Sequence, residues 1–479
     1  MTNNIIKYQA LIDGELYENG KWISIINPTT NKTIGEVPAL TKVEIEKVYT
    51  AAKQSQKSWE QMPILKRITF LNSWKQLIIR DKLIIAQLMT NEIAKATKAA
   101  CSEIDRTIEY IDYTLQEALR LHPQSYTGES WGIMNKLGIF EYVPKGIVLA
   151  ISPFNYPVNL SVSKIFPALV TGNSVVFKPA TQGSLSGLHL AKLAKEAKLP
   201  NGVFNAVSGK GSAIGDSLVE NEVINVISFT GSATVGNHIS QKSLKADLIL
   251  ELGGKDPAIV LDDADLEDTA TKIIKGAFSY SGQRCTAIKR VLVQKAISSK
   301  LISILKAKVE KLSIGLPIDN CDITPVIDQP TIVNAKKLIK DALDKGAKCL
   351  IGNKFKENLM WPTIIIDVTT KMDLAWEEPF APLLPIIIFE QVSEAIKIAN
   401  DSQYGLQASI FTTNINSAMT IASLLEAGSI NINDQSQRGP DHFPFIGIKD
   451  SGLGVQGIRS SLLAFTRPKG IIINWKTKN

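Results

Sequence analysis

The sequence predicts an α/β protein with two doubly wound units and a small β arm. Short apolar strands alternate with amphipathic helices from Gly146 to Leu252, and a second alternation of the same kind runs from Pro257 to Asn433. Two further apolar strands, at residues 137–143 and 470–475, stand outside both rhythms. Short buried strands separated by helices argue for parallel sheets covered on both faces. Detached strands present open edges, so sheet pairing between subunits is expected of them, with a local hairpin inside one subunit as the alternative. A chain of 479 residues has room for more than one such unit.

Taken in order, residues 8–36 read as short strands and turns, with Asn19-Gly20 a hairpin signal. Thr41-Lys42-Val43-Glu44 forms a capping box for a helix running toward Met62. Helical periodicity continues over 64–80, 82–95 and 97–120. Gly128 and Gly132 then break the pattern, and 124–144 reads as an extended arm. Strands follow at 146–152, 173–178, 203–208, 224–229 and 248–252. Helices at 159–170 and 184–199 lie among them, and a further helix separates the last two strands. Gly253-Gly254 reads as a flexible junction. Beyond it come strands at 257–261, 290–294, 384–389, 408–411 and 429–433, with helices at 296–312 and 331–346.

Composition narrows the functional class. Hydrophobic residues make up 44% and charged residues 21%, which argues against wholesale disorder. The net charge of +7 is spread along the chain without a block of like charges, which fits solubility better than nucleic-acid binding. Residues 1–22 lack the apolar core of a signal peptide, and no apolar run reaches membrane-spanning length. Four widely spaced cysteines, without a Cys-x-x-Cys pair, suit a reducing cytoplasm. His122, His189, His238 and His442 are scattered and lack metal-ligand spacing.

Chemistry-bearing residues gather at strand ends, and ligands of doubly wound sheets bind at the carboxyl ends of strands. The stretch Tyr280-Ser281-Gly282-Gln283-Arg284-Cys285-Thr286-Ala287 places a cysteine in a small-residue turn behind a helix-like run. A thiol attacks a carbonyl only as thiolate, so nearby positive charge and partial solvent access suit Cys285 to that role. Cys101, Cys321 and Cys349 lack such a setting and read as structural. Ser152-Pro153-Phe154-Asn155-Tyr156-Pro157 ends the first strand. The Asn155 amide can donate to a developing oxyanion, although the segment alone also reads as a turn. Lys178 leaves the second strand, either to reach ribose hydroxyls or a phosphate or simply to lie exposed. Phe229-Thr230-Gly231-Ser232 opens a helix, where backbone N–H groups and the Ser232 hydroxyl suit a pyrophosphate. Gly-x-Gly-x-x-Gly is absent, and Gly209-Lys210-Gly211 is too weak to replace it. Glu251 ends the last strand before the junction. Among leucines a carboxylate loses solvation and suits a general base, the alternative being an ion pair.

Together these residues resemble the aldehyde dehydrogenase superfamily. The matching stretches follow the family's order along nearly the whole chain: Phe154-Asn155, Lys178-Pro179, Phe229-Thr230-Gly231-Ser232, Glu251-Leu252-Gly253-Gly254, Gly282-Gln283-Arg284-Cys285 and Glu378-Pro379-Phe380. The resemblance implies a cofactor-binding domain on a Rossmann variant (1–123 and 145–253), a catalytic domain (254–464) and an oligomerisation arm (124–144 and 465–479). It implies a homotetramer built as a dimer of dimers. By the same resemblance Cys285 attacks an aldehyde to give a thiohemiacetal, whose oxyanion Asn155 and the Cys285 N–H stabilise. Hydride then passes to a nicotinamide, and Glu251 activates the water that releases the acid. Glu378 and Phe380 are expected at the nicotinamide ribose and ring, with Ser152, Phe154, Gly211, Asp216, Thr230, Gly231, Ser232 and Leu252 also on the cofactor.

The arginine before the nucleophile narrows the resemblance. Arg284, Arg106, Tyr156 and Arg438, with Thr286 beside the nucleophile, are similar to the phosphate-binding set of the non-phosphorylating glyceraldehyde-3-phosphate dehydrogenase branch. Arginine forks match phosphate oxygens in pairs. That branch implies irreversible, NADP-dependent oxidation of glyceraldehyde 3-phosphate to 3-phosphoglycerate. The alternatives are another small aldehyde, such as succinate semialdehyde or lactaldehyde, or a non-catalytic binding protein on this scaffold. Thr181 stands where many NAD-preferring relatives carry glutamate, and with Lys178 it favours NADP over NAD. Ala381 departs from the usual Glu-x-Phe-Gly-Pro, and its methyl is expected to crowd the nicotinamide loop. Neither a metal nor a nucleic-acid or membrane partner is implied.

Overall fold

A computed structural model describes residues 5–476, so residues 1–4 and 477–479, at the outer ends of the assigned cofactor-binding and arm ranges, lie outside the described residues. The strand Ile147–Ile151 lies near the middle of an eight-stranded sheet. It pairs in parallel with Ser174–Lys178 on one side and Val226–Thr230 on the other. Phe204–Ala206 and Asp247–Glu251 extend the parallel core outward. Val148 and Ala150 face one hydrophobic core while Ile147 and Leu149 face another. Burial on both faces explains why these strands read as unbroken apolar runs. The winding reverses at Ile147–Ile151, which opens a crevice between its carboxyl end and that of Val226–Thr230.

The edges of this sheet differ from the expectation. Ala10–Ile12 and Glu15–Tyr17 form an antiparallel hairpin on one edge. Its turn is Asp13-Gly14, with φ of 51° and 77°, the left-handed pair that a tight hairpin needs. Asn19-Gly20 is not that turn; it leads into Trp22–Ile26, which pairs with Thr33–Pro38 instead. The opposite edge is closed by Gly452–Leu453, antiparallel to Asp247–Glu251.

Helices Lys42–Gln61, Ile64–Arg80, Lys82–Ile93 and Thr97–Ala118 match the periodicity. The Glu44 carboxylate accepts the Thr41 N–H at 2.7 Å, as the capping box requires. Asn159–Val170 is buried along its whole length.

The second sheet has seven strands. Pro257–Val260 pairs in parallel with Arg290–Gln294 and Gln407–Phe411. Leu383–Phe389, Thr363–Ile366 and Ser429–Ile432 continue the parallel order, and Lys348–Ile351 closes one edge antiparallel. Thr363–Ile366 escaped the sequence reading because a short hairpin, not a helix, precedes it.

The detached strands meet each other. Thr466–Asn474 pairs antiparallel with Lys136–Pro144, and Gln124–Thr127 covers the far side of the latter. The two strands pair with each other within one chain, and Thr466–Asn474 remains an edge.

Candidate active site

The helix Leu266–Phe278 delivers the chain to the cysteine through a left-handed turn. Tyr280, Ser281 and Gly282 have φ of 51°, 53° and 73°. Such a conformation costs roughly 1–3 kcal/mol at a residue other than glycine, so something must hold it. The Tyr280 hydroxyl donates to the Ile93 carbonyl at 2.9 Å, and Ser281 Oγ donates to the Thr324 carbonyl at 2.7 Å. At Gly282 a Cβ would lie 2.4 Å from the Ala381 carbonyl oxygen, so only glycine fits.

Cys285 is a free thiol, partly exposed. Burial of the sulfur pushes it up to about 11, with Lys289 and Arg438 pulling it down and Glu251 and Glu378 pushing it up. A thiol raised in this way is protonated at neutral pH and must lose that proton before it can attack a carbonyl. Asn155 is buried, its amide donating to the carbonyl of Gln283, two residues before Cys285, at 2.9 Å. The Asn155 carbonyl accepts from Lys95 Nζ at 2.9 Å. That ammonium is ion-paired with Glu103 and lies 3.6 Å from the centre of the Tyr156 ring.

Glu251 is not the lone carboxylate among leucines that its neighbours in the chain suggest. Arg438 Nη1 donates to both of its oxygens, at 2.9 and 3.0 Å. Thr230 Oγ1 donates to Glu251 Oε2 at 3.0 Å and accepts from Lys164 Nζ at 2.7 Å. Burial drives the Lys164 ammonium down to about 8, against the pull of Glu251. The result is a buried path of donors from Lys164 through Thr230 to the carboxylate.

The arginines divide into separate sets. Arg106 forks onto Asp441 at 2.7 and 2.8 Å and reaches the Arg438 carbonyl at 3.0 Å. Arg438 also donates to Gln456 Oε1 at 3.0 Å and lies 4.8 Å from the Phe445 ring centre. Arg438, Asp441 and Phe445 line a cavity of about 170 Å³. Arg284 is tied instead to the Gly276 carbonyl at 2.6 Å, and its Nε is buried without a partner. Tyr156 stacks edge-on with Tyr280, and Thr286 is buried with its carbonyl accepting from Ser436. Among the described residues no hydrogen bond joins Arg284 or Tyr156 to the Arg106–Asp441–Arg438 set.

Comparison with known proteins bears on what this arrangement is. Residues 17–471 match the model of the aldehyde dehydrogenase family. The chain belongs to the aldehyde dehydrogenase family. It is 48% identical to the NADP-dependent glyceraldehyde-3-phosphate dehydrogenase of Streptococcus equinus, over 96% of this chain and 98% of that protein. It is 45% identical to the enzyme of the same name from Pisum sativum, over 98% and 96% of the two chains. The crystal structure of NADP-dependent glyceraldehyde-3-phosphate dehydrogenase from Bacillus halodurans C-125, complexed with NADP, superposes with a TM-score of 0.97 at 50% identity, covering 98% of this chain and 99% of that one.

An aldehyde dehydrogenase needs a nicotinamide dinucleotide, and the crevice has the donors for one. Lys178 is buried, with the Pro179 carbonyl at 3.1 Å as its hydrogen-bond partner and no carboxylate paired to it among the described residues. Burial brings that ammonium down to about 8. An unpaired buried cation at a sheet's carboxyl edge fits a phosphorylated ribose. Thr181 follows it, half-buried, and Gly211 opens the helix Gly211–Val219 onto free space. Ser232 caps the helix Ala233–Lys242, accepting from the Val235 N–H at 3.4 Å.

Other assigned residues are already engaged. The Gly231 N–H donates to the Glu251 carbonyl at 3.1 Å, so that donor is already engaged. The Thr230 hydroxyl serves Glu251, Ser152 accepts from Ser161 at 2.8 Å, and Leu252 packs in the core. Asp216 is exposed and takes the His238 ring nitrogen at 2.7 Å, which holds its carboxyl below the usual range. Phe380 has a φ of 46° and meets the Phe154 ring edge-on at 5.9 Å. Ala381 lies in the hydrophobic core of the second unit, with a φ outside the left-handed region.

Gly253 and Gly254 are buried, not a flexible link. A Cβ on Gly253 would lie 2.2 Å from Glu378 Oε2, and one on Gly254 3.2 Å from the Cys285 carbonyl. They are glycines so that the Glu378 carboxylate and the Cys285 backbone can approach the strand end. Sequence reasoning missed Lys95, Glu103, Lys164 and Lys289. Lys164 left a signal, as the lone charge in an otherwise uncharged helix. So did Glu103, three residues before Arg106 on the same helix face.

Proposed function

We propose that this aldehyde dehydrogenase oxidises glyceraldehyde 3-phosphate to 3-phosphoglycerate with NADP, releasing the acid to water without inorganic phosphate. The observation that carries the substrate is Arg284, whose buried Nε is unpartnered immediately before the nucleophile. A guanidinium held by one backbone contact and otherwise unsatisfied fits a phosphate dianion. Arg106, Arg438, Tyr156 and Thr286 complete the substrate set. The relatives' names support the same reading.

Cys285 loses its proton to solvent, and the thiolate attacks the aldehyde carbon, forming a thiohemiacetal whose oxygen takes the negative charge. The Asn155 amide and the Cys285 N–H donate to the oxyanion. Hydride acceptance is the chemistry that NADP supplies when bound. Lys178 and Thr181 would hold its adenosine ribose and 2′-phosphate, and Glu378 and Phe380 its nicotinamide ribose and ring. Ser152, Phe154, Gly211, Asp216, Thr230, Gly231, Ser232 and Leu252 would complete its surroundings. The acyl group on Cys285 is then a thioester, and Glu251 takes a proton from the water that cleaves it. For this Glu251 must loosen its pair with Arg438.

The domain assignment, with cofactor-binding, catalytic and arm segments as above, belongs to this reading. So does assembly as a homotetramer, a dimer of dimers, supported by the open edge of Thr466–Asn474. Cytoplasmic location is supported by four free cysteines. No helix among the described residues is long and apolar enough to cross a membrane.

The test is NADPH absorbance with a panel of aldehydes and both cofactors, phosphate omitted. Arg284→Ala should cut kcat/KM for glyceraldehyde 3-phosphate roughly 100-fold while sparing an uncharged aldehyde. Equal losses on both substrates would refute the phosphate assignment.

A further inference from the structure

Lys289 stands just before the strand Arg290–Gln294, and the reaction as described gives it no task. Its side chain is 2% exposed, yet its ammonium touches both halves of the site. It donates to the carbonyl oxygen of Cys285 and forms an ion pair with Glu378 Oε1 at 3.0 Å. Its backbone is fixed as well, the N–H donating to the Asp256 carbonyl at 3.0 Å. Glu378 Oε1 in turn accepts the Gly254 N–H at 3.3 Å. A buried ammonium is costly unless its partners are well placed, and here both partners belong to the reacting centre.

We infer that Lys289 is a positioning residue that couples the Glu378 ribose clamp to the nucleophile. One ammonium fixes the Cys285 backbone, aligns Glu378 and keeps positive charge beside the sulfur. The inference rests on the reading of Cys285 as nucleophile and Glu378 as clamp.

Charged groups face the thiol from each element packed against it. Lys289 lies on its own loop, Glu251 at the end of the first sheet and Glu378 on the loop after the Asp373–Ala375 turn. Arg438 comes from the segment after Ser429–Ile432 and Lys164 from the helix Asn159–Val170. Lys289 is the leading cation favouring the thiolate, and Glu378 opposes it. Removing either partner should therefore move the thiol in opposite directions.

The experiment follows iodoacetamide alkylation of Cys285 by mass spectrometry across pH, on the full-length protein without ligands, beside NADP titrations. Lys289→Met should raise the alkylation midpoint by about one unit and weaken NADP binding about tenfold. Glu378→Gln should lower the midpoint, and Lys289→Arg should restore both readouts toward wild type. Loss of structure would move both variants down toward an ordinary thiol near ~8.5, so an upward shift in Lys289→Met is not produced by unfolding. An unchanged midpoint in Lys289→Met, shifts of one sign in both variants, or wild-type NADP affinity in Lys289→Met overturns the inference. Alkylation needs neither aldehyde nor NADP. Failure of the functional reading would show separately, as wild-type protein that makes no NADPH with any aldehyde.

Discussion

At the scale of single residues, the proposed nucleophile and the proposed base are both held back. Burial keeps the Cys285 thiol protonated at neutral pH, and Glu251 is tied to Arg438 through both oxygens. Each group therefore acts only after a local change, the thiol by losing a proton and the carboxylate by losing a partner. Their tasks fall on different steps, and that separates the outcomes of mutation. Glu251→Gln keeps the shape of the site but cannot take a proton from water, so acyl transfer to Cys285 should survive while hydrolysis stalls. Rapid mixing should show a burst of NADPH followed by a steady rate lower by roughly 100- to 10,000-fold. A uniform slowing without a burst would place Glu251 on the acylation side instead. In the same proposal Asn155→Ala acts earlier, at the oxyanion. It should lower kcat roughly 100- to 1,000-fold in single-turnover NADPH formation, with little change in NADP affinity. Loss of the burst alone, with single-turnover rate intact, would remove Asn155 from the oxyanion role.

At the scale of elements, helices near the site take their caps from elsewhere. Neither Asn159–Val170 nor Ser184–Glu196 has a side-chain cap at its own first residue. Glu103 accepts from the N–H groups of Val158 and Asn159, at 3.0 and 2.9 Å. Glu92 accepts from Leu185 and Ser186, each at 2.9 Å. Helix periods were legible in the sequence because they are local, whereas these caps lie far away in the chain and left no local mark. Lys95 balances Glu103 inside the protein, and both side chains are almost wholly buried. Lys95→Met leaves Glu103 a buried charge without its counterion, which should cost roughly 3–5 kcal/mol in denaturant unfolding. Restoring much of that loss with Glu103→Leu in the same chain would fit the pair; no recovery would point to the Asn155 contact instead. Glu92 carries a pH signature. Burial raises its carboxyl to about 7 from 4.5, the helix N–H groups offsetting part of the rise. Between those values the folded protein binds more protons than the unfolded chain, so this contribution falls as pH rises. The stability of wild type relative to Glu92→Gln should drop by roughly 3 kcal/mol from pH 4.5 to 7 and level off outside that window. A flat difference would mean that Glu92 titrates normally.

At the scale of the whole molecule, the parallel order of both sheets and the strand ends that carry Asn155, Lys178 and Glu251 were readable from alternation alone. What alternation could not say was which strands meet at the edges, because pairing of an edge depends on shape and not on local pattern. Residues 137–143 and 470–475 read as separate open strands, and they close on each other. That closure settles only part of the problem. Ile471, Ile472 and Ile473 remain about half exposed although successive side chains point to opposite faces, so this chain covers neither face of the strand. Trp131, Ile133 and Met134 in the same arm are exposed as well, and Thr466–Asn474 still offers its outer backbone groups as an edge. A long apolar edge in a stable protein requires a covering partner, and a second copy of the chain is the partner always at hand. Replacing Ile471 and Ile473 together with glutamate puts two charges on one face without touching either α/β core. Sedimentation velocity at micromolar concentration should then show the proposed wild-type tetramer replaced by smaller species, with far-UV circular dichroism unchanged. A wild-type protein that sediments as a monomer, or a double variant that stays tetrameric, would remove the arm from the assembly.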